Sequence, residues 1–226
     1  MPQLIVPTEV KPFLQQVGRI AAAQHVKAYA VGGCVRDWWL VNPRTVDLDI
    51  AVEGDGIMVA EAVARTLRGR CWVHPQFGTA TVECRGRRVR QADFAMCRTE
   101  TYARPAAYPR VAPGTLEQDL FRRDFTINAM AAALEPGRFG TLIDPFGGAG
   151  DLRRRILRVL HPRSFLDDPS RILRGIRFAT RFGCRFDPAT ARRLRQAVAA
   201  GALAWLNAGR LQKELDRMVE EPDPLG

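Results

Sequence analysis

Two short stretches, YAVGGCVRD at residues 29–37 and VDLDI at residues 46–50, decide the fold. In the first, an apolar segment runs into a pair of glycines and is followed by residues with helical spacing, which predicts a strand, a tight turn and a helix. In the second, apolar and acidic residues alternate with period two, which predicts a strand that carries Asp47 and Asp49 on one face. Together they predict a strand–helix–strand unit with a glycine turn close to two carboxylates.

The remaining patterns divide the chain into a mixed first part and a helical second part. The first part is predicted to contain helices over 3–28, 35–40 and 57–67, strands over 28–31 and 46–53, and a β-hairpin of strands 78–84 and 89–96 joined by the basic turn 85–88. Residues 98–115 contain three prolines and are expected to form a long irregular loop. Residues 116–134 and everything from Phe165 onward have helical spacing. We therefore expect an α+β protein with a first domain over 1–160 and a helical second domain over 161–226.

The chain has 226 residues, with 34 Lys and Arg against 24 Asp and Glu and a formal net charge of +10. This composition excludes disordered, collagen-like and coiled-coil proteins. The apolar stretches fall far short of the roughly 20 residues of a membrane span, and the sequence does not start like a signal peptide, so we expect a cytoplasmic protein with no membrane partner. The positive charge is almost all arginine, which fits either a polyanionic partner or a GC-rich genome.

Asp47 and Asp49 are the first candidates for chemistry. Residues two apart in a strand point to the same face, so their carboxylates project together about 7 Å apart along the chain. Asp93, in the neighbouring strand candidate, would bring a third carboxylate beside the pair. Hard oxygen ligands of this kind favour Mg²⁺, which takes its remaining ligands from water and substrate phosphates. A solvated strand face is the alternative explanation.

Gly32 and Gly33 lie where a strand ends and a helix begins, with Arg36 one turn inside the helix. Backbone N–H groups and the helix dipole meet at such a point, which favours a bound anion. The expected occupant is a triphosphate, and the alternative is an ordinary tight turn.

The second half of the chain contributes two further polar groups of residues. On an ideal helix, Arg171, Arg174 and Arg177 share one face with Asp168 at its margin, and the isoleucines face the other way. Because Asp accepts and Arg donates hydrogen bonds, such a pair can read the edge of a base. The alternative is a solvated amphipathic face with a local Asp–Arg pair.

Upstream of that helix, Asp124 and Asn128 are predicted to lie one turn apart and to face one way among apolar residues. This position suits a buried polar contact. For the adjoining residues Arg122, Arg123 and Asp124, the alternative explanation is ordinary charge at the start of a surface helix. His25, His74 and His161 share no spacing or partner and are interpreted as non-catalytic.

These motifs, in this order, resemble those of class II tRNA nucleotidyltransferases and bacterial poly(A) polymerases. The opening stretches are followed by RRDFTINAM at 122–130, by DDPSRILRGIRF at 167–178, and by 207–219, which is similar to the last neck helix of the family. The resemblance spans about residues 28–219. It implies a polymerase-β-like nucleotidyltransferase head followed by an all-α neck, and nucleotide addition to an RNA 3′ end.

The resemblance also implies roles for individual residues. Asp47 and Asp49 would hold the catalytic metals, and Gly33 and Arg36 would contact the triphosphate. The family glutamate is Asp167 here, which keeps the charge on a shorter side chain. The candidate catalytic residues are Asp47, Asp49 and Asp93, and the candidate nucleotide-binding residues are Gly32, Gly33, Arg36, Arg123, Asp124, Asn128, Asp168, Arg171, Arg174 and Arg177.

The expected function is template-independent, Mg²⁺-dependent addition of C, A or both to the tRNA 3′ end from CTP and ATP, by a two-metal mechanism. The segment 98–115 is not shortened as it is in family members that add only C, which favours addition of at least the terminal A. Poly(A) polymerases and CC-adding enzymes share the motifs and stay alternatives. Family members usually continue into further helical domains that hold the tRNA, and the sequence leaves open whether this chain is a minimal form or a piece of a longer one.

Two explanations come from other functional classes. A small-molecule adenylyltransferase shares the glycine and carboxylate motifs, but it has no need for a basic helical stripe. A non-catalytic RNA-binding module would keep the charge, but it has no reason to retain both carboxylates and the glycine turn.

Overall fold

A computed structural model of the protein describes residues 2–41, 47–84 and 89–221. The chain divides into two compact units. The first comprises Met1–Thr99, Val111–Arg122 and Asn128–Pro145, and the second comprises Glu100–Arg110, Arg123–Ile127 and Phe146–Gly226. The second unit has 19 basic and 11 acidic residues, a net charge of +8, against 15 and 13, or +2, in the first. The basic excess therefore belongs almost entirely to the second unit.

The first unit is built on a seven-stranded sheet with the strand order β3-β4-β5-β2-β1-β8-β9. Its strands are β1 (Lys27–Val31), β2 (Leu48–Glu53), β3 (Arg70–His74), β4 (Thr79–Glu83), β5 (Gln91–Met96), β8 (Ala131–Ala133) and β9 (Leu142–Ile143). Its helices are α1 (Lys11–Ala23), α2 (Gly33–Trp39), α3 (Gly56–Leu67) and α4 (Leu116–Phe121). The predicted hairpin is confirmed, since β4 and β5 pair antiparallel, and its turn at 85–88 lies outside the described residues.

Helices α1 and α3 cover one face of this sheet. Alternate residues of the central strands, such as Ile50, Val82 and Phe94, are buried on that face, as period-two alternation requires. Helix α3 lies directly on β5, because a Cβ atom at Gly56 would come within 2.8 Å of the Ala95 carbonyl carbon. Polar residues of β2, β4 and β5 are therefore left on the opposite face.

The first unit differs from the prediction in one helix end and in one additional strand. The helix predicted over 3–28 begins only at Lys11, because the preceding residues run beside the far edge of the sheet, where Leu4 N–H donates to the Gly140 carbonyl at 2.9 Å. Strand β3 was not predicted at all. Its residues do not alternate in hydropathy, since β3 is an edge strand that stays largely exposed.

The helix predicted over 116–134 is also wrong. It ends at Phe121, and Ala131–Ala133 forms β8, which pairs with β1 and is fully buried. Alanine favours helix, but the hydrogen bonds of the sheet and the burial of the strand override that preference. Asp124 and Asn128 consequently do not lie one turn apart on a helix.

The segment 98–115 is more regular than predicted. It contains strands β6 (Arg98–Thr101) and β7 (Arg110–Pro113), which form a two-stranded sheet of their own. The helix that follows begins with a capping box, in which Thr115 and Gln118 each bond the other's backbone N–H. The chain passes into the second unit and back out of it within this segment.

The second unit is mostly helical, as predicted. It contains α5 (Gly148–Arg153), β10 (Ile156–Leu157), α6 (Ser164–Asp167), α7 (Ser170–Phe182), β11 (Arg185–Phe186), α8 (Pro188–Ala199) and α9 (Ala208–Val219). Phe125 is buried against Phe178, with the ring centroids 6.1 Å apart and the rings nearly perpendicular. This contact explains why a five-residue segment of the middle of the chain belongs to this unit.

The compact units do not follow a single cut near residue 160, so the predicted domains 1–160 and 161–226 stay a prediction about functional parts of the chain. None of the described helices reaches the length and hydropathy needed to cross a membrane.

Candidate active site

Three carboxylates are associated with the face of the sheet opposite α1 and α3, and we call this part of the face the carboxylate face and define it by Asp47, Asp49 and Asp93. Strands β2 and β5 are parallel, and their register places Asp49 directly beside Asp93. Both side chains are exposed, as is Asp47 one residue before β2. The Thr81 hydroxyl of β4 donates to Asp93 Oδ1 at 2.6 Å, which fixes the orientation of that carboxylate. The structure thus places Asp49 and Asp93 side by side, with Asp47 two positions before Asp49 in the chain.

The donor set of the carboxylate face fits a hard divalent cation, because it consists of exposed carboxylate oxygens on one surface. Among the described residues, no three His, Cys, Asp or Glu side chains converge closely enough to hold an ion by themselves. A divalent ion bound to these carboxylates would therefore complete its coordination with water and substrate phosphate oxygens, as Mg²⁺ does in phosphoryl-transfer sites.

The glycine turn lies at the end of β1. Gly32 has φ +77°, a conformation that favours glycine. Gly33 begins α2, and a Cβ atom there would be in ordinary van der Waals contact with the Arg36 guanidinium at 3.6 Å. Contact of Gly33 with a triphosphate stays a prediction.

Arg36 is buried within the first unit, with only 4% of its surface exposed. Its Nε donates to Asp37 Oδ1 at 2.8 Å and its Nη1 donates to Asn128 Oδ1 at 2.6 Å. The structure therefore brings together Arg36 and Asn128, which are 92 positions apart in the chain. Whether either side chain contacts a triphosphate stays a prediction.

In the second unit, Asp124 and Arg174 form a close ion pair. Arg174 donates to Asp124 Oδ2 through Nε at 2.9 Å and through Nη2 at 2.6 Å. The other carboxylate oxygen accepts the N–H of Phe125 at 2.8 Å. The negative charge of Asp124 raises the pKa of Arg174 above its usual value, despite the opposing effect of burial. Arg123, which precedes Asp124, is half-buried.

The predicted arginine stripe exists, but it is not a solvated face. Arg171 and Arg177 on α7 are only 5% and 8% exposed. Asp168 does not lie on this helix, because α7 begins at Ser170 and Asp168 has an extended backbone before it, so the helical position predicted for Asp168 is wrong. We use the term arginine network for Arg171, Arg174 and Arg177 together with their acidic partners Asp124, Asp168 and Glu214.

Helix α9 and the residues just after it supply acidic partners that the sequence reasoning missed. Glu214 is 5% exposed and lies 3.5 Å from Arg174 and 3.7 Å from Arg177. Glu221 lies 3.0 Å from Arg177. The available signal was the similarity of 207–219 to the family's last neck helix, combined with the spacing of its charges. Arginines that are buried, such as Arg177, or half-buried, such as Arg174, require carboxylate partners of this kind.

Asp168 accepts hydrogen bonds from two other residues. Its Oδ1 accepts hydrogen bonds from the Ser170 hydroxyl at 2.5 Å and from Arg210 Nη2 at 2.5 Å. Arg210 Nη1 also donates to the carbonyl of Ala106 at 3.2 Å, within the segment between β6 and β7. Arg210 was not predicted, although it begins the same helical motif as Glu214.

Arg171 lies 3.9 Å from Asp168 and donates to the Ser164 hydroxyl at 2.7 Å. His161 Nε2 is 3.4 Å from the same guanidinium. Burial and the positive charge of Arg171 lower the pKa of His161, which keeps the imidazole neutral at neutral pH. Asp167, at the family's glutamate position, accepts from Arg163 Nε at 3.2 Å and lies 3.9 Å from His161.

Comparison with known proteins agrees with this arrangement. Residues 28–158 match the model of the poly A polymerase head domain. The chain is 45% identical over 196 residues to an A-adding tRNA nucleotidyltransferase of Aquifex aeolicus, an alignment that covers 87% of this chain and 23% of that protein.

Two solved structures are also similar. A CCA-adding enzyme in an apo form has a TM-score of 0.90 at 42% identity, over 97% of this chain and 51% of that one. A tRNA nucleotidyltransferase in complex with a primer tRNA and an incoming ATP analogue has a TM-score of 0.83 at 42% identity, over 92% and 57%. The chain thus spans between a quarter and just over half of the length of these relatives. Because the family model covers more than half of this chain, the chain belongs to the poly A polymerase head domain family.

Proposed function

We propose that the chain adds a nucleotide from ATP or CTP to the 3′ end of tRNA, in the cytoplasm. The observation that carries this proposal is the register of β2 and β5, which places the exposed side chains of Asp49 and Asp93 next to each other, in the same unit as the glycine turn. The names of the A-adding relative and of the tRNA complex support the choice of substrate. The family uses divalent metal ions, and we propose Mg²⁺ as the ion here.

The carboxylate face would hold the metal through Asp47 and Asp49. The chemistry that a metal ion would supply there is a lower pKa for the RNA 3′ hydroxyl and compensation of the negative charge of the triphosphate. Asp93, held by the Thr81 hydroxyl, presents its second carboxylate oxygen on the same face, where it would orient the 3′ hydroxyl. No histidine is needed as a general base.

The second unit would select the nucleotide. Arg171 donates and Asp168 accepts, so the pair offers both kinds of hydrogen bond to a base edge. Their other contacts, to Ser164, Ser170 and Arg210, hold these side chains in place before a nucleotide arrives. Preorganised groups of this kind lose little freedom on binding, which favours discrimination between bases.

Addition of the terminal A is the form of the reaction that we propose. The segment Glu100–Arg110 belongs to the second unit, where Ala106 N–H donates to the Leu166 carbonyl at 3.0 Å and Asn207 donates to the Tyr108 hydroxyl at 3.0 Å. Tyr102 donates to Glu100 at 2.7 Å, and burial together with that carboxylate raises its pKa. The segment is linked to Asp168 through Arg210, which donates to both the Ala106 carbonyl and Asp168.

The test is incubation of the chain with tRNAs that end before CCA, at C and at CC, supplied with CTP or ATP separately. Growth of the CC primer by one residue with ATP supports the proposal. Addition of C without A would identify a CC-adding enzyme, and long A tails would identify a poly(A) polymerase. Failure to extend any primer, with a free aminoglycoside modified instead, would overturn the proposal in favour of a small-molecule adenylyltransferase.

Deletion of residues 102–110 sharpens this test. We expect A addition to be lost while C addition, where present, is retained, because the carboxylate face is untouched. Equal loss of both activities would indicate a general defect of the fold, and retention of both would contradict the role of the segment.

A further inference from the structure

The carboxylate face continues across the sheet to its outer strand. Register pairs join Asp49 to Asp93, Asp93 to Thr81, and Thr81 to Trp72. Residues paired in this way point to the same face of a sheet, so Trp72 stands in one row with the two carboxylates. At about 4.8 Å per strand, Trp72 lies about 10 Å from Asp93.

Trp72 is unusually accessible for its type. It is 54% exposed on β3, the edge strand, four of whose five residues are exposed. Large aromatic side chains are normally well buried, so an exposed indole ring in line with reactive groups indicates a contact surface. Arg70 and His74 lie two residues away on either side and share the face of Trp72.

Exposed arginines are frequent near this end of the sheet. Arg68, Arg70 and Arg90 are exposed there, and Arg70 lies opposite Glu83 in the register of β3 and β4 without an ion pair among the described residues. An exposed aromatic ring with cations beside it is the usual platform for single-stranded nucleic acid.

We propose that Trp72 stacks on a base of the single-stranded RNA 3′ end, close behind the nucleotide whose hydroxyl reacts, with Arg70 contacting its phosphate. This inference rests on the proposed function, because it fixes the path of the RNA from the position of the 3′ hydroxyl at the carboxylate face. A strand stacked at 3.4 Å per base covers about 10 Å in about three bases. The stacked base is therefore the second or third from the 3′ end.

The experiment compares the full chain with its Trp72→Ala variant on a tRNA primer ending in CC. Loss of one base–aromatic stack should raise KM for the primer about 5- to 20-fold, with kcat and KM for ATP unchanged. Trp72→Phe, which keeps an aromatic ring, should restore most of the affinity. Trp205→Ala is the matched control, since Trp205 is 42% exposed in the second unit and outside this row.

A primer that lacks the base at its second or third position supplies the decisive arm. The wild-type chain should bind that primer as weakly as Trp72→Ala binds the intact one, and Trp72→Ala should lose nothing further. If the losses caused by Trp72→Ala and by the missing base add up, Trp72 does not stack on that base. An unchanged KM of Trp72→Ala for the intact primer would also overturn the proposal. A change of oligomeric state in Trp72→Ala without any change in KM would show that β3 instead pairs with a second copy of the chain.

Direct binding keeps this inference distinct from the proposed function. Anisotropy of a fluorescein-labelled RNA ending in CC, measured without nucleotide, should show the same loss in Trp72→Ala. If the wild-type chain binds this RNA through Trp72 but extends no primer, the proposed function fails and the binding surface stands. If the wild-type chain extends primers and Trp72→Ala binds this RNA normally, the proposed function stands and the stacking role of Trp72 fails.

Discussion

The carboxylate face and the arginine network place their charges in opposite surroundings. On the carboxylate face, Asp49 and Asp93 are exposed on the neighbouring strands β2 and β5, and Asp47 is exposed one residue before β2. In the arginine network, Arg171 and Arg177 are almost fully buried, and their partners come from three separate segments of the second unit. Substitution of an exposed group usually has little effect on the stability of the fold, whereas loss of one partner of a buried charge pair destabilises it.

The largest effect is expected from the carboxylate face. Asp47→Ala or Asp49→Ala should lower turnover at least about a hundredfold, in the range seen when an electrostatic stabiliser is removed. The melting temperature should not fall, since neighbouring carboxylates repel one another without metal. Rate assays at saturating Mg²⁺ with thermal melts check both, and Glu61→Ala, on an exposed helix surface, is the control. Full turnover in the double Ala variant would contradict the metal assignment.

The arginine network should respond in stability instead. Asp124→Ala leaves Arg174 without its closest carboxylate and should lower the free energy of unfolding by about 2–3 kcal/mol, somewhat below a fully buried pair because Arg174 is partly exposed. Urea unfolding measures this. Adding Arg174→Ala should cost less than the sum of the two single changes. Arg65→Ala, which removes an exposed ion pair, should cost well under about 1 kcal/mol.

Arg171 tests whether the arginine network also selects the base. Arg171→Ala should lower discrimination between ATP or CTP and the wrong nucleotides by about 5- to 150-fold, because lost base-edge donors contribute about 1–3 kcal/mol. Arg36→Ala should weaken all nucleotides alike, although its burial means that part of the loss will come from stability. Equal loss with all four nucleotides in Arg171→Ala would contradict the selecting role.

The smallest effect should come from pH. His161 has a lowered pKa, so it is neutral above about pH 6.5 and its protonation at lower pH sets a second positive charge beside Arg171. The unfolded chain takes up this proton first, so stability falls as pH drops below 6.5. Base discrimination should fall slightly as His161 becomes protonated at pH values below 6.5. His161→Gln should show no such fall. A pH profile of that variant identical to the wild-type profile would contradict the role of His161.

Alternation and glycine placement predicted the central part of the sheet and the carboxylate face, because these depend on residues close together in the chain. The pairing of Arg36 with Asn128, and of Arg174 with Asp124, depends on contacts 92 and 50 positions apart. A helical wheel showed that the arginines share a face, but it could not show that Glu214 covers that face. Ala131–Ala133 was mispredicted for the same reason, since only the neighbouring strand makes it a strand.

The most direct test of the account is the single-turnover rate of each of the four nucleotides on one tRNA ending in CC, measured with Mg²⁺ for the wild-type chain, Asp49→Ala and Arg171→Ala. The account predicts one added A in the wild type, loss of rate with every nucleotide in Asp49→Ala, and loss of choice in Arg171→Ala. An unchanged rate in Asp49→Ala, or a wild-type chain that adds all four nucleotides equally well, would contradict it.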